Sequence, residues 1–309
     1  MNMKGLAPIA LFVYNRPEHT RRCLEALSAN FLASDSVLHI FSDGPKADAT
    51  ATDIVRINEV RELIREKNWC GTVHIHESSI NKGLFDSITQ GIRFVLEKSD
   101  RIIIVEDDIL TFPDFLSYCN KGLDKYEQEE KVWLLSGYMF PIGSEENLPQ
   151  TFFLPTLSCW GWCTWKRAWL KFNPDAYGQL KKITDSGSKR AFDLNSSYPY
   201  FEMLKQRSEG KNQSWDVCWY ASFFLGNGLC LYPGNTLAEN IGMDGSGTHW
   251  IGSGWKSRAQ QENIVLTWEF PPSTEPDLSI QHRLEKKLRK EFYPGIKERI
   301  IRKLKIIFS

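Results

Sequence analysis

No single-sign charge excess marks this 309-residue chain: 38 Lys and Arg balance 38 Asp and Glu, so nothing global draws it to nucleic acid. No apolar run approaches the ~20 residues that a membrane-spanning helix needs. The opening MNMKGLAPIALFVYNRP reaches Arg16 too early for a secretory signal and has no small-residue cleavage site, which points to a chain that is not exported. None of the seven cysteines forms a CxxC pair, and Cys159 and Cys163 have no further partners at zinc-site spacing, so reduced cytosolic thiols are expected. The phosphate-binding patterns GxGxxG and GxxxxGK[ST] are both missing, which disfavours a dinucleotide-binding domain and a P-loop.

What is present is a regular alternation. APIALFVYN, SVLHIFSDG, TVHIHES, RIIIVEDD and KVWLLSGY read as strands, separated by stretches with apolar residues at helical spacing. One of these is GLFDSITQGIRFVLEKS, with Leu84, Ile88, Ile92 and Val95 as its stripe. Such alternation predicts a parallel, doubly wound α/β half over residues 1–140, in which ligands sit outside the carboxyl ends of the strands. The polar candidates fall at those ends: Asn15, Asp43, the turn Glu77–Asn81, and Glu106, Asp107 and Asp108. After Pro141 the alternation stops. Residues 141–282 are predicted to continue the same domain as an acceptor-side, catalytic half, with four tryptophans between Trp160 and Trp169.

Three adjacent carboxylates at the end of a buried strand need a cation to offset their repulsion and desolvation, and hard oxygen donors suit Mg²⁺ or Mn²⁺. An equally simple account is a solvated turn whose acids favour the next helix. IIIVEDDILTFPDFLSY resembles the Asp-X-Asp region of GT-A fold glycosyltransferases, above all the Glu-Asp-Asp form of the β-1,2-N-acetylglucosaminyltransferase I group. INKGLFDSITQGIRFVLE is similar to the Asn-X-Gly segment of bacterial family 2 glycosyltransferases, and FVYNRP and IFSDGP resemble the first two strand ends. The likeness runs in order over roughly residues 6–250.

The resemblance implies a mixed, mainly parallel GT-A sheet flanked by helices. It implies a nucleotide-sugar donor, a glycan or lipid-linked acceptor, and Mn²⁺ or Mg²⁺ held by Asp108. Glu106 and Asp107 would orient the nucleotide, Asp43 would accept from its base, the backbone at Asn15 and Arg16 would line the pocket, and Lys82 would sit near the diphosphate. His249, in GSGTHW, would complete the metal shell or touch the diphosphate. The chain departs from the family in having Glu-Asp-Asp where a strict Asp-X-Asp stands.

Inverting sugar transfer needs a carboxylate outside the acid cluster to take the acceptor's proton. Asp216 opens a predicted helix between Trp215 and Trp219, where an apolar flank can raise a carboxyl pKa; the simpler role is a helix N-cap. Asp244 is the reserve, read as a loop or diphosphate-adjacent residue. Trp160, Gly161 and Trp162 are assigned to a loop near the sugars, and Trp165 and Trp169 to packing. His39, His74 and His76 read as structural. Residues 283–309 hold ten Lys and Arg against three Glu, which puts +7 in this tail and −7 in the rest. Its spacing of Ile296, Ile300, Leu304 and Phe308 predicts a basic amphipathic helix, for peripheral contact with the inner face of a membrane or for packing on protein. Nucleic acid is not an expected partner, since no aromatic platform interleaves with the basic residues. A sugar nucleotidyltransferase and a non-catalytic glycan- or nucleotide-binding module are the competing functions. The first usually carries a glycine-rich basic loop where YNRPEHTRR stands; the second has no need of Asp108 and Asp216 together.

Overall fold

The computed structural model describes residues 5–142, 148–242 and 267–293. Asp244, His249 and the stretch Ile296–Phe308 lie outside these residues. Ten strands run in chain order: β1 (Ile9–Val13), β2 (Val37–Ser42), β3 (Thr72–Glu77), β4 (Arg101–Glu106), β5 (Ile109–Thr111), β6 (Val132–Ser136), β7 (Thr151–Leu154), β8 (Trp162–Trp165), β9 (Leu229–Pro233) and β10 (Ala238–Asn240). The helices are α1 (Pro17–Ser28), α2 (Ala51–Leu63), α3 (Gly83–Leu96), α4 (Phe115–Lys125), α5 (Lys166–Trp169), α6 (Ala176–Asp185), α7 (Lys189–Phe192), α8 (Tyr200–Ser208), α9 (Asp216–Leu225) and α10 (Leu278–Phe292).

Eight strands form one sheet in the order β3-β2-β1-β4-β8-β6-β9-β7. Strands β1 to β4 are mutually parallel, β8 runs against both β4 and β6, and β7 runs against β9. The sheet is therefore mixed and mainly parallel, with helices on its faces. Strand β1 is wholly apolar, and β4 is apolar between Arg101 and Glu106, because both of their faces are covered. Pro17 opens α1, where its missing N–H costs nothing, and Thr50 closes a capping box with Asp53 at the start of α2.

Residues 267–293 strap the β7 side of the sheet. Trp268 packs on Tyr118 with ring centroids 5.0 Å apart, the Tyr126 hydroxyl donates to the Pro271 carbonyl at 3.0 Å, and Phe153 of β7 bridges Pro276. Helix α10 then docks through Ile280, Leu284 and Leu288, all buried. It starts at Leu278, so the first residues of the basic tail belong to a helix packed on the domain.

Strands β2 and β3 place three imidazoles side by side. His39 Nδ1 and His76 Nε2 are 3.0 Å apart, and His74 stacks on His39 at 5.0 Å. Burial pushes the His39 pKa down to about 4, helped by His76, His74 and Lys98. The unfolded chain therefore binds the proton more tightly, so this stability is complete above pH 6.5 and lost as pH falls toward 4. For a half-exposed ring the loss is about 1–2 kcal/mol. In thermal melts between pH 7.5 and 4.5 the wild type should lose Tm more steeply toward acid than His39→Phe; parallel curves contradict the assignment.

Candidate active site

Strand β4 delivers Glu106 to the carboxyl edge of the sheet, and Asp107 and Asp108 form the turn into β5. Strand β5 pairs antiparallel with β10, forming a two-stranded flap over the acids. The Ile241 N–H donates to the Asp108 carbonyl at 2.8 Å. A Cβ on Gly242 would collide with the Asp108 carboxylate, so the flap can lie this close only with glycine there.

Arg16, at the end of β1 beside β4, reaches across to the acids. Its guanidinium pairs with both oxygens of Asp107 and, at 3.0 Å, with Asp108 Oδ2. Burial opposes the arginine's charge, but the two aspartates outweigh it and hold its pKa above the ordinary value. Burial pushes Asp107 up to about 6 against the lowering effect of Arg16. Glu106 is raised well above the usual carboxyl range by burial and then by Asp108, Asp216 and Asp107. Arg16 thus pairs with two of the clustered acids, Asp107 and Asp108.

Asp216 arrives from the other half of the chain as the first residue of α9. It does not cap that helix; the cap position is Trp215. Its Oδ1 accepts from the Ser214 hydroxyl and, at 3.0 Å, from the Val217 N–H. Its Oδ2 has no hydrogen bond among the described residues. The tryptophans around it are structural: Trp215 stacks on Trp162 at 5.6 Å, and Trp219 packs against Trp169 at 5.2 Å and Trp133 at 5.5 Å. This buried cluster sets where the start of α9 points.

Trp162 is therefore not a sugar-binding loop residue. It is fully buried and opens β8, a strand inserted between β4 and β6. The stretch reads as a loop because Gly161 breaks it: its φ of +64° strains any other residue, and a Cβ there would press on Ala238, Ile109 and Phe115. Trp160 alone keeps a half-exposed ring, edge-on to Tyr138 at 4.5 Å. Trp165 and Trp169 are core, as assigned, but at the end of β8 and in α5 rather than on one helix.

Asp43 also differs from expectation. Its Oδ1 accepts from the N–H groups of Gly44 and Lys82, both at 2.8 Å; its Oδ2 accepts from Gly83 N–H at 3.0 Å and the Asn81 amide at 3.1 Å. Four donors fill the four lone-pair positions of a carboxylate, so Asp43 fastens the Asn81–Gly83 turn to β2 and has none left for a base. The Lys82 side chain is exposed on the rim of a cleft of about 300 Å³ between α3 and the ends of β2 and β3. Asn15 reaches Asp53 at 3.4 Å.

The structure thus gathers Arg16, Glu106, Asp107, Asp108, Asp216 and Trp160 at one edge, with Asp43 and Lys82 in a neighbouring cluster. The Arg16 side chain, the Tyr14 ring near Asp43 and Asp53, and the pocket wall from Tyr198 and α10 were not singled out from sequence. Tyr14 stands beside Asn15 at a strand end, which was the available signal; the other contacts join residues 90 or more apart.

Among the described residues no three His, Cys, Asp or Glu side chains converge as a ready metal cage. The residues nevertheless fit a divalent ion of the kind bound through one or two carboxylates and completed by substrate phosphates. Both Asp107 oxygens are committed to Arg16, whereas Asp108 has Oδ1 outside that pairing, and the cluster carries excess negative charge.

No family model matches the sequence, and no curated protein matches it. Among solved structures, the chain is similar to the mannosyltransferase PcManGT from Pyrobaculum calidifontis in complex with GDP-Man and Mn²⁺ (12% identity, TM-score 0.37, 57% of this chain and 46% of that one). It is similar also to S. aureus TarS (13%, 0.39, 74% and 35%) and to the galactosyltransferase LgtC with donor and acceptor sugar analogs (9%, 0.33, 73% and 72%). The chain spans less than half the length of the first two. Likeness this distant carries no argument about chemistry, which rests on the residues above.

Proposed function

We propose that the protein is an inverting, metal-dependent glycosyltransferase. It moves a sugar from a nucleoside-diphosphate sugar, expected to be a UDP-sugar, to a hydroxyl of a surface glycan or lipid-linked oligosaccharide. Work at the inner face of the membrane belongs to the same proposal. The observation that carries it is the meeting of Asp216 with the acids at the end of β4: the two arise 108 or more residues apart, yet Asp216 lies near enough to Glu106 to raise its pKa. A non-catalytic binding module gives no reason for that meeting.

Asp216 Oδ2 takes the proton from the acceptor hydroxyl as its oxygen attacks the anomeric carbon. The bond from that carbon to the diphosphate oxygen breaks, and the nucleoside diphosphate leaves with the electron pair. Ser214 and the Val217 N–H hold Oδ1, so the carboxylate keeps one orientation. Arg16 holds Asp107 and leaves Asp108 Oδ1 for a cation. When bound there, Mn²⁺ or Mg²⁺ supplies the positive charge that neutralises the diphosphate.

A thermal-shift panel of UDP-, GDP- and dTDP-sugars, with and without Mn²⁺, tests class and donor together. One sugar nucleotide should stabilise the protein several-fold more with Mn²⁺ than without. Asp108→Ala should remove the Mn²⁺-dependent part of that shift; an unchanged shift in the variant removes the metal assignment.

A further inference from the structure

Beside Asp216 lies a cavity of about 100 Å³. Trp160 and Met203 form part of its wall, the pair Tyr198 and Tyr200 another, and α10 contributes Leu284, Leu288 and Phe292. Little of this wall is polar. The Tyr220 hydroxyl donates to the Phe192 carbonyl at 2.9 Å, and the Tyr232 hydroxyl donates to the Thr156 carbonyl at 3.3 Å. Of the polar side chains facing the cavity, Asp216, Ser158, Tyr198 and the Trp160 indole N–H are left to meet a ligand.

The wall is held by an unusual turn. Leu194, Asn195 and Ser196 are three successive residues with positive φ, of 47°, 54° and 61°, just before Tyr198. Left-handed backbone in non-glycine residues needs outside support. Helix α10 gives it: Glu285 accepts from the Asn195 amide at 2.9 Å, and Arg289 donates to the Asn195 carbonyl at 2.9 Å and to Ser197 Oγ at 3.1 Å.

Resting on the transfer reading, we infer that this cavity is an acceptor specificity pocket. It takes a small methyl-terminated substituent lying next to the attacked hydroxyl, and α10 is the element that sets the preference. Its volume is below that of a cavity of about 150 Å³ that holds one benzene, so it has room for a few carbons rather than a whole sugar ring. A hydroxyl-covered sugar face would leave several hydroxyls against rings and aliphatic carbons without partners. Two common sources fit the chemistry, the methyl of a 6-deoxy sugar and the methyl of an N-acetyl group.

Matched acceptors separate these sources. With the sugar nucleotide that gives the largest thermal shift, kcat/KM is measured for the methyl glycosides of galactose and 6-deoxygalactose, and of glucose and N-acetylglucosamine. The methyl-bearing member of one pair should be preferred tenfold or more, the range a hydrophobic pocket gives for one small group. Phe292→Ala, at the partly buried end of α10 where Phe292 meets Tyr198 edge-on at 4.4 Å, should raise the preferred acceptor's KM several-fold with kcat retained. Met203→Ala gives the same readout from the opposite wall. Equal use within both pairs, or a preference that survives both substitutions, overturns the pocket while leaving sugar transfer standing. Transfer to none of the four overturns the pocket; the transfer reading falls with it only if hydrolysis of the sugar nucleotide is also absent.

Discussion

Asp216→Asn is expected to lower kcat by roughly 10²- to 10⁴-fold while donor binding stays within about twofold, the span of a lost general base. The substitution is unusually clean at this position. Both internal hydrogen bonds to Asp216 fall on Oδ1, and an asparagine carbonyl oxygen can accept them both. The amide replaces only Oδ2, the oxygen with no hydrogen bond among the described residues. Single-turnover transfer combined with calorimetric donor binding reads the two effects separately. Near-normal turnover in a variant that still binds donor would dismiss Asp216 as the base.

Trp219→Ala should have the largest effect on stability. The side chain is fully buried and touches Trp133, Trp162, Trp169 and Phe172. Removing it leaves a void that the neighbouring rings cannot close, at a cost of about 3–5 kcal/mol, or roughly 10 °C in Tm. Trp219→Phe keeps much of the contact and should lose less than half as much. Trp219 lies one helical turn into α9, so the alanine variant should also lower kcat at temperatures where it is still folded. Calorimetric melts with activity at 20 °C test both outcomes; an alanine variant as stable as the wild type would show that the cluster does not anchor α9.

The strand ends of the first half were legible because burial leaves no choice there. An aliphatic run such as RIIIVE must stop where the sheet stops, and polar residues that follow it must lie at the edge. The tryptophan-rich stretch was not legible in the same way. Trp162 and Trp160 are two residues apart and look alike, but one glycine in left-handed backbone turns the first into a core strand and leaves the second on the rim. Strands β5 and β10 have three residues each, too short for any periodic signal, yet they build the flap over Asp108. Asp43 shows a third kind of limit: a carboxylate at a strand end looks available until its donors are counted. The tail was read by charge, and charge starts at Arg283, whereas the apolar spacing that docks α10 begins at Ile280.

The strap over β7 has a consequence for how the protein behaves at high concentration. An eight-stranded sheet has two free edges, and an uncovered edge is a template on which another chain can add a strand. The β7 edge is already covered: the Asp277 N–H donates to the Phe153 backbone carbonyl at 2.9 Å, and the Thr151 side-chain hydroxyl donates to the Glu269 carbonyl at 2.6 Å. Residues 267–277 thus act as a guard against self-association. Loss of these contacts would be expected to promote aggregation through the β7 edge.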